Sequence, residues 1–65
     1  MNKMEQVRDG LTLLLGYGGE LVDAQHDELF AGGAPPDQML PEHAAKLGEL
    51  GWRYDDSNES WVVFT

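Results

Sequence analysis

Side chains that carry proton or metal chemistry near neutral pH are few in this chain. There are two histidines, His26 and His43, and no cysteine. A zinc-type site needs three or four convergent ligands. Neither histidine belongs to a spacing such as His-x-x-x-His, so both read as surface residues beside an acid, His26 next to Asp27 and His43 next to Glu42. Asp55-Asp56-Ser57-Asn58-Glu59 gathers three acids in five residues, but it lacks the glycine and the twelve-residue frame of a calcium loop. Ser57 and Ser60 are the only serines, and neither is set between glycines as a nucleophile elbow requires. Gly16-Tyr17-Gly18-Gly19 follows a helical pattern instead of leading from a strand into one, the wrong order for cradling phosphate. Asp27 and Glu28 form a carboxylate pair, yet acid–base work needs a pocket that drives two pKa values apart. No catalytic residue, metal or cofactor is expected, and the chain does not read as an enzyme.

What remains is charge. Twelve acids oppose four bases, Lys3, Arg8, Lys46 and Arg53, for a net −8. Direct nucleic-acid binding is disfavoured, because phosphates are held by Lys and Arg. A basic partner is favoured, although −8 also suits simple solubility. The acids expected on exposed positions are Glu20, Asp23, Asp27 and Glu28 around one hairpin, Asp37 in a linker, and Asp55, Asp56 and Glu59 on a second turn, with Glu42 and Glu49 on a helix. Alternate residues on one strand face are roughly 6.5–7 Å apart, close to the step between phosphates on one nucleic-acid strand. Density limits the idea. Surface scaling gives about 4,100 Å² for this mass, or about 500 Å² per net charge. B-DNA carries one charge per ~1.7 Å of axis, about one per 100 Å². Mimicry of a duplex therefore requires the acids to concentrate, and the two acidic turns are the natural place if they share one end of a sheet.

The elements that position these residues follow from periodicity. Asn2 and Glu5 make a capping box in sequence. Met4, Val7, Leu11, Leu14 and Leu15 then step by threes and fours along one helix face, expected to be core. Gly10 costs the helix roughly 1 kcal/mol, and Gly16–Gly19 ends it. Glu20–Gln25 and Glu28–Ala31 read as strands around a two-residue turn, His26-Asp27, pairing Ala24 with Leu29 and Val22 with Ala31. Those four then share a face, with Asp23 and Phe30 on the other. Residues 32–37 form a Gly/Pro linker. Pro41–Leu50 reads as a helix with Ala44, Leu47 and Leu50 inward, stopped by Gly51. Trp52–Asp55 and Ser60–Thr65 form a second hairpin. A four-residue loop sets Trp52 opposite Val63 and Tyr54 opposite Trp61, while one residue more or fewer exchanges the faces. The expected architecture is α+β, a four-stranded antiparallel sheet with two helices on one face, in the order α-β-β-α-β-β, as one domain over residues 1–65. No run is long enough to span a membrane and no signal-peptide core opens the chain, so a cytoplasmic protein is expected.

The length, the acid excess, the absence of cysteine and the ending Leu47-Gly-Glu-Leu-Gly-Trp-Arg-Tyr-Asp-Asp…Ser60-Trp-Val-Val-Phe-Thr65 resemble the small acidic anti-CRISPR proteins of phages and mobile elements, nearest to type I-C inhibitors. Some inhibitors of that group act as double-stranded DNA mimics on the PAM-reading surface of the large Cascade subunit. The resemblance implies that partner, a bacterial host cytoplasm, and a monomer or weak dimer. Two other readings stand beside it. One is an antirestriction mimic with a different target. The other is a non-mimetic interaction module gripping through rings such as Tyr17, Phe30 or Tyr54, with a simple oligomerising structural domain as the remainder.

Overall fold

A computed structural model describes residues 2–64. Helix α1 (Lys3–Leu15) leads to strands β1 (Leu21–Ala24) and β2 (Glu28–Ala31). A 3-10 turn at Pro36–Gln38 precedes helix α2 (Pro41–Glu49), and strands β3 (Trp52–Asp55) and β4 (Ser60–Phe64) close the chain. The four strands form one antiparallel sheet in the order β1-β2-β4-β3. The α+β architecture is the expected one. Thr65, assigned above to the last strand, lies outside the described residues.

Local chemistry sets the element ends. Asn2 accepts from the Glu5 amide at 2.9 Å, and the Glu5 carboxylate accepts from the Asn2 amide at 3.4 Å, completing the capping box. Gly18 takes a left-handed φ of 74° just past α1, and the Gly19 amide donates back to the Leu14 carbonyl at 2.9 Å. Pro41 opens α2, where its missing N–H costs nothing.

One sheet face receives both helices. Leu14 of α1 and Leu47 and Leu50, of and beside α2, pack with Ala31, Trp52, Trp61, Val63 and Met39. The last hairpin has the register of a four-residue loop, Trp52 opposite Val63 and Tyr54 opposite Trp61. Each indole also holds a distant segment. Trp52 Nε1 donates to the Gln6 carbonyl at 3.0 Å, and Trp61 Nε1 donates to Ala34 in the linker at 2.9 Å.

Two expectations are corrected. The apolar stripe of α1 is not all core. Leu14 is buried and Val7 and Leu11 are half-buried, but Met4 and Leu15 are 80% and 67% exposed. The cause is Gly10, where an added Cβ would overlap the Trp52 indole. The helix meets the indole at its one residue without a side chain. That rotates Met4 and Leu15 outward. In the first hairpin Ala24 does pair with Leu29, but Leu21 faces Ala31 and the register shifts between Leu21 and Asp23. Val22 is thus an extra residue, a bulge of the kind that blunts edge strands, and it no longer shares a face with Ala24, Leu29 and Ala31.

Candidate acidic interface

The sheet order decides where the acids lie. The turn after β1 and the turn after β3 immediately precede β2 and β4, which are antiparallel neighbours. The two acidic turns therefore sit at opposite ends of the sheet, separated by the five residues of β4, or roughly 14 Å at ~3.4 Å per step. They do not form one ridge. Asp27 caps one end alone. At the other end lie Asp55, Asp56 and Glu59. Glu20, whose carbonyl accepts from the Gly32 amide at 2.7 Å, is at the same end but on the opposite edge of the sheet, next to β1.

Asp37 joins this second end through the chain's only 3-10 turn among the described residues. The signature is electrostatic. The Tyr54 phenol holds its proton more tightly than usual, first because it is partly desolvated and then because Glu59, Asp56, Asp37 and Asp55 surround it with negative charge. Tyr54 itself is fixed by an edge-on contact with Trp61, ring centroids 5.5 Å apart. Asp55, Asp56 and Glu59 share the turn beyond Tyr54, and Asp37 is near enough to add to the negative field at its phenol.

The acids of this group differ in role. Asp55 is the turn's internal acceptor. Its Oδ2 accepts from Asn58 Nδ2 at 2.7 Å and its Oδ1 from the Ser57 amide at 2.9 Å. These bonds, the Asn58 amide foremost, hold its carboxyl below the usual range. Asp56, Glu59 and Asp37 are exposed, with no ion-pair partner among the described residues. Glu59 has a φ of 50°, a left-handed conformation that costs an L-residue about 1–2 kcal/mol. Glycine would be the ordinary choice there, yet the chain keeps a carboxylate.

Two of the expected acids lie on the open sheet face, Glu28 facing Arg53 and Asp23 across a hollow from Asn58 of the Asp55–Glu59 turn. Glu28 is half-buried and meets Arg53 at 3.7 Å across β4, while the same guanidinium lies 5.1 Å from the Phe64 ring centroid. Glu28 thus faces a cation on the open sheet face, unlike Asp56 and Glu59. Asp23 faces outward opposite Phe30 and accepts from the Ala24 amide at 2.9 Å and from Gln25 Nε2 at 3.3 Å. It edges a hollow of about 300 Å³ with Val22, Gln25, Phe30 and Asn58. Across the 4140 Å² of surface, charge is as dilute as the scaling implied, so the density lies in the Tyr54 end and not in the average.

The rings that a non-mimetic surface would use are engaged internally. Phe30 is buried, and Tyr54 packs on Trp61. The Tyr17 hydroxyl accepts from the Leu40 amide at 3.1 Å and shares a hydrogen bond with His43 Nδ1 at 2.5 Å. His43, read from sequence as a surface residue, is half-buried in this latch between the end of α1 and the start of α2. Residues 26 apart make it, and neither residue carries a local signal of the other. Among the described residues no three His, Asp or Glu side chains converge as metal ligands, and no helix is long and apolar enough to cross a membrane. No family model matches the chain, and neither a curated protein nor a solved structure matches it.

Proposed function

We propose that this protein is an inhibitor that offers its Tyr54 end as a substitute for the DNA backbone. The partner is a basic nucleic-acid-binding protein, namely the large, PAM-reading subunit of a type I Cascade complex, as for the anti-CRISPR proteins the sequence resembles. One observation carries the reading. Asp56 and Glu59 share one turn, Asp37 adds to the negative field at the neighbouring Tyr54, none of the three has an ion-pair partner among the described residues, and Glu59 holds a disfavoured backbone conformation. Uncompensated like charge destabilises a small domain, so its concentration fits a binding role better than solubility, which scattered acids would serve equally.

The mechanism is competitive. A groove lined with Lys and Arg attracts the acidic end by the same long-range field that steers DNA to it. Once seated, the carboxylates accept hydrogen bonds that phosphate oxygens would otherwise accept. Asp55 keeps the turn closed instead of making contacts, and Tyr54 and Trp61 keep it from yielding. Asp27, about a strand length away, contributes little to the same contact.

The test is a gel-shift competition between this protein and PAM-containing duplex for type I Cascade at two salt concentrations. The expected result is displacement of duplex at low salt, weakening several-fold as salt rises. Absence of displacement at low salt would remove Cascade as the target. Displacement of DNA from a restriction enzyme instead would retain the mimicry and change the partner.

A further inference from the structure

The outer face of α1 is apolar without being core. Met4, Leu15 and the neighbouring Leu21 are each more than half exposed, at 80%, 67% and 58%. Two hollows flank the ridge formed by Leu11 and Leu15. One, about 530 Å³, is lined by Met4 and Val7 together with Lys3 and Arg8, two of the protein's four cations. The other, about 220 Å³, is lined by Leu14 and Leu21 and by Glu20. The face thus has a basic end and an acidic end with apolar surface between them.

We infer that this face binds a second copy of the same chain, with the two α1 helices packed antiparallel about a twofold axis. The pattern is self-complementary, as an isologous contact requires. Helix α1 has 13 residues, a length of about 20 Å. Turning one copy end for end brings Met4, a flexible and exposed knob, over the hollow beside Leu15 and Leu21 of the other. The same rotation brings Lys3 toward Glu20, twice per dimer. It also sets Lys3 near the negative end of the opposite helix dipole, whose own last turn has no basic residue. Lys3 has no ion-pair partner within its own chain among the described residues.

The patch is small. Its apolar part is the exposed portions of Met4, Leu15 and Leu21 with parts of Val7 and Leu11, far from the extent of an obligate interface, so a weak dimer is expected. The adjacent β1 edge does not extend the contact as a continuous sheet, because its bulge at Val22 disrupts the ladder.

Sedimentation equilibrium of the full chain, from micromolar to near-millimolar concentration, tests this. Wild type should shift from 7.2 kDa toward twice that mass. Leu15→Glu and Met4→Glu should each weaken association at least tenfold, with near-ultraviolet circular dichroism of the tryptophans unchanged because both positions are exposed. Lys3→Glu and Glu20→Lys should each weaken it about three- to fivefold, and the double variant should recover most of the loss, which only facing charges would do. A 7.2 kDa species at the highest concentration would overturn the proposal. So would a dimer that both Met4→Glu and Leu15→Glu leave intact, or a monomer that instead cosediments with phosphatidylcholine vesicles.

Discussion

The two halves of the chain use the same order, a helix followed by a hairpin, for opposite purposes. In the second half, Leu47, Leu50, Trp52, Trp61, Val62 and Val63 are buried, and the hairpin turn is locked by Asp55. In the first half, β1 is exposed at all four residues and α1 leaves Met4 and Leu15 of its apolar stripe in solvent. The location of the rings, not the order of the elements, decides which half is scaffold. The first half then has surface to spare for contacts, while the second presents the rigid acidic end.

The sharpest way to break this contrast is to remove a scaffold ring. Trp61→Ala deletes a buried indole and its bond to Ala34, at a cost of about 3–5 kcal/mol. A domain of this size has only roughly 3–10 kcal/mol in total, so circular dichroism in urea should show a largely unfolded chain. The corresponding truncation in the first hairpin, Val22→Ala, should shift the midpoint by less than about 0.5 kcal/mol, as surface changes generally do. Equal effects would erase the distinction between the halves.

Gly10→Ala sharpens it by sign. Helix propensity alone argues for a gain of about 1 kcal/mol. The added methyl would overlap the Trp52 indole, whose N–H is already fixed on Gln6, so overpacking should give a net loss of about 1–3 kcal/mol in urea titration. A stabilised variant would mean that α1 is not seated on the indole.

Glu59→Gly separates stability from function. Relief of the left-handed glutamate should stabilise the fold by about 1 kcal/mol, visible as a higher melting temperature. The same change should weaken binding to the basic partner, since it removes a carboxylate from the Tyr54 group.

The smallest effect is the pH dependence of the turn. Asp55 has a folded pKa below its unfolded value, through its bonds from Asn58 and Ser57. Its contribution to stability is therefore complete above the ordinary aspartate value and is lost as pH falls through the lower folded one. The gap in urea midpoint between wild type and Asp55→Ala should be constant at neutral pH and close in the acid range below about pH 4. A gap that persists in strong acid would assign the turn to something other than the carboxylate.

Much of the fold was legible because its signals are local. The capping box at Asn2 and Glu5, the glycines after α1 and α2 and Pro41 each depend on residues within a few positions, whereas the register of the last hairpin stayed open in the sequence because one loop residue more or fewer exchanges its faces. What sequence did not reveal depends on which strands become neighbours. The rotation of α1 comes from Gly10 meeting Trp52, and the Val22 bulge comes from fitting β1 to a strand that is itself held by β4. The candidate site followed the same rule. That Asp55, Asp56 and Glu59 share a turn was readable. Asp27 lying at the far end was not, because it follows from β2 and β4 running antiparallel. The addition of Asp37 and the loss of Glu28 to Arg53 are contacts between distant segments.

The central claim is that one end of the molecule, and not its overall charge, does the binding. It is tested most directly by competition against PAM-containing duplex for type I Cascade, comparing wild type with two variants. In one, Asp37→Asn, Asp56→Asn and Glu59→Gln are combined. In the other, Asp27→Asn and Glu49→Gln change charge away from that end, at the turn after β1 and in the last turn of α2. The account predicts that the first raises the concentration needed for half-displacement at least tenfold, about 1.4 kcal/mol or more, and the second by less than about threefold. Losses in proportion to the charges removed, wherever they lie, would contradict it.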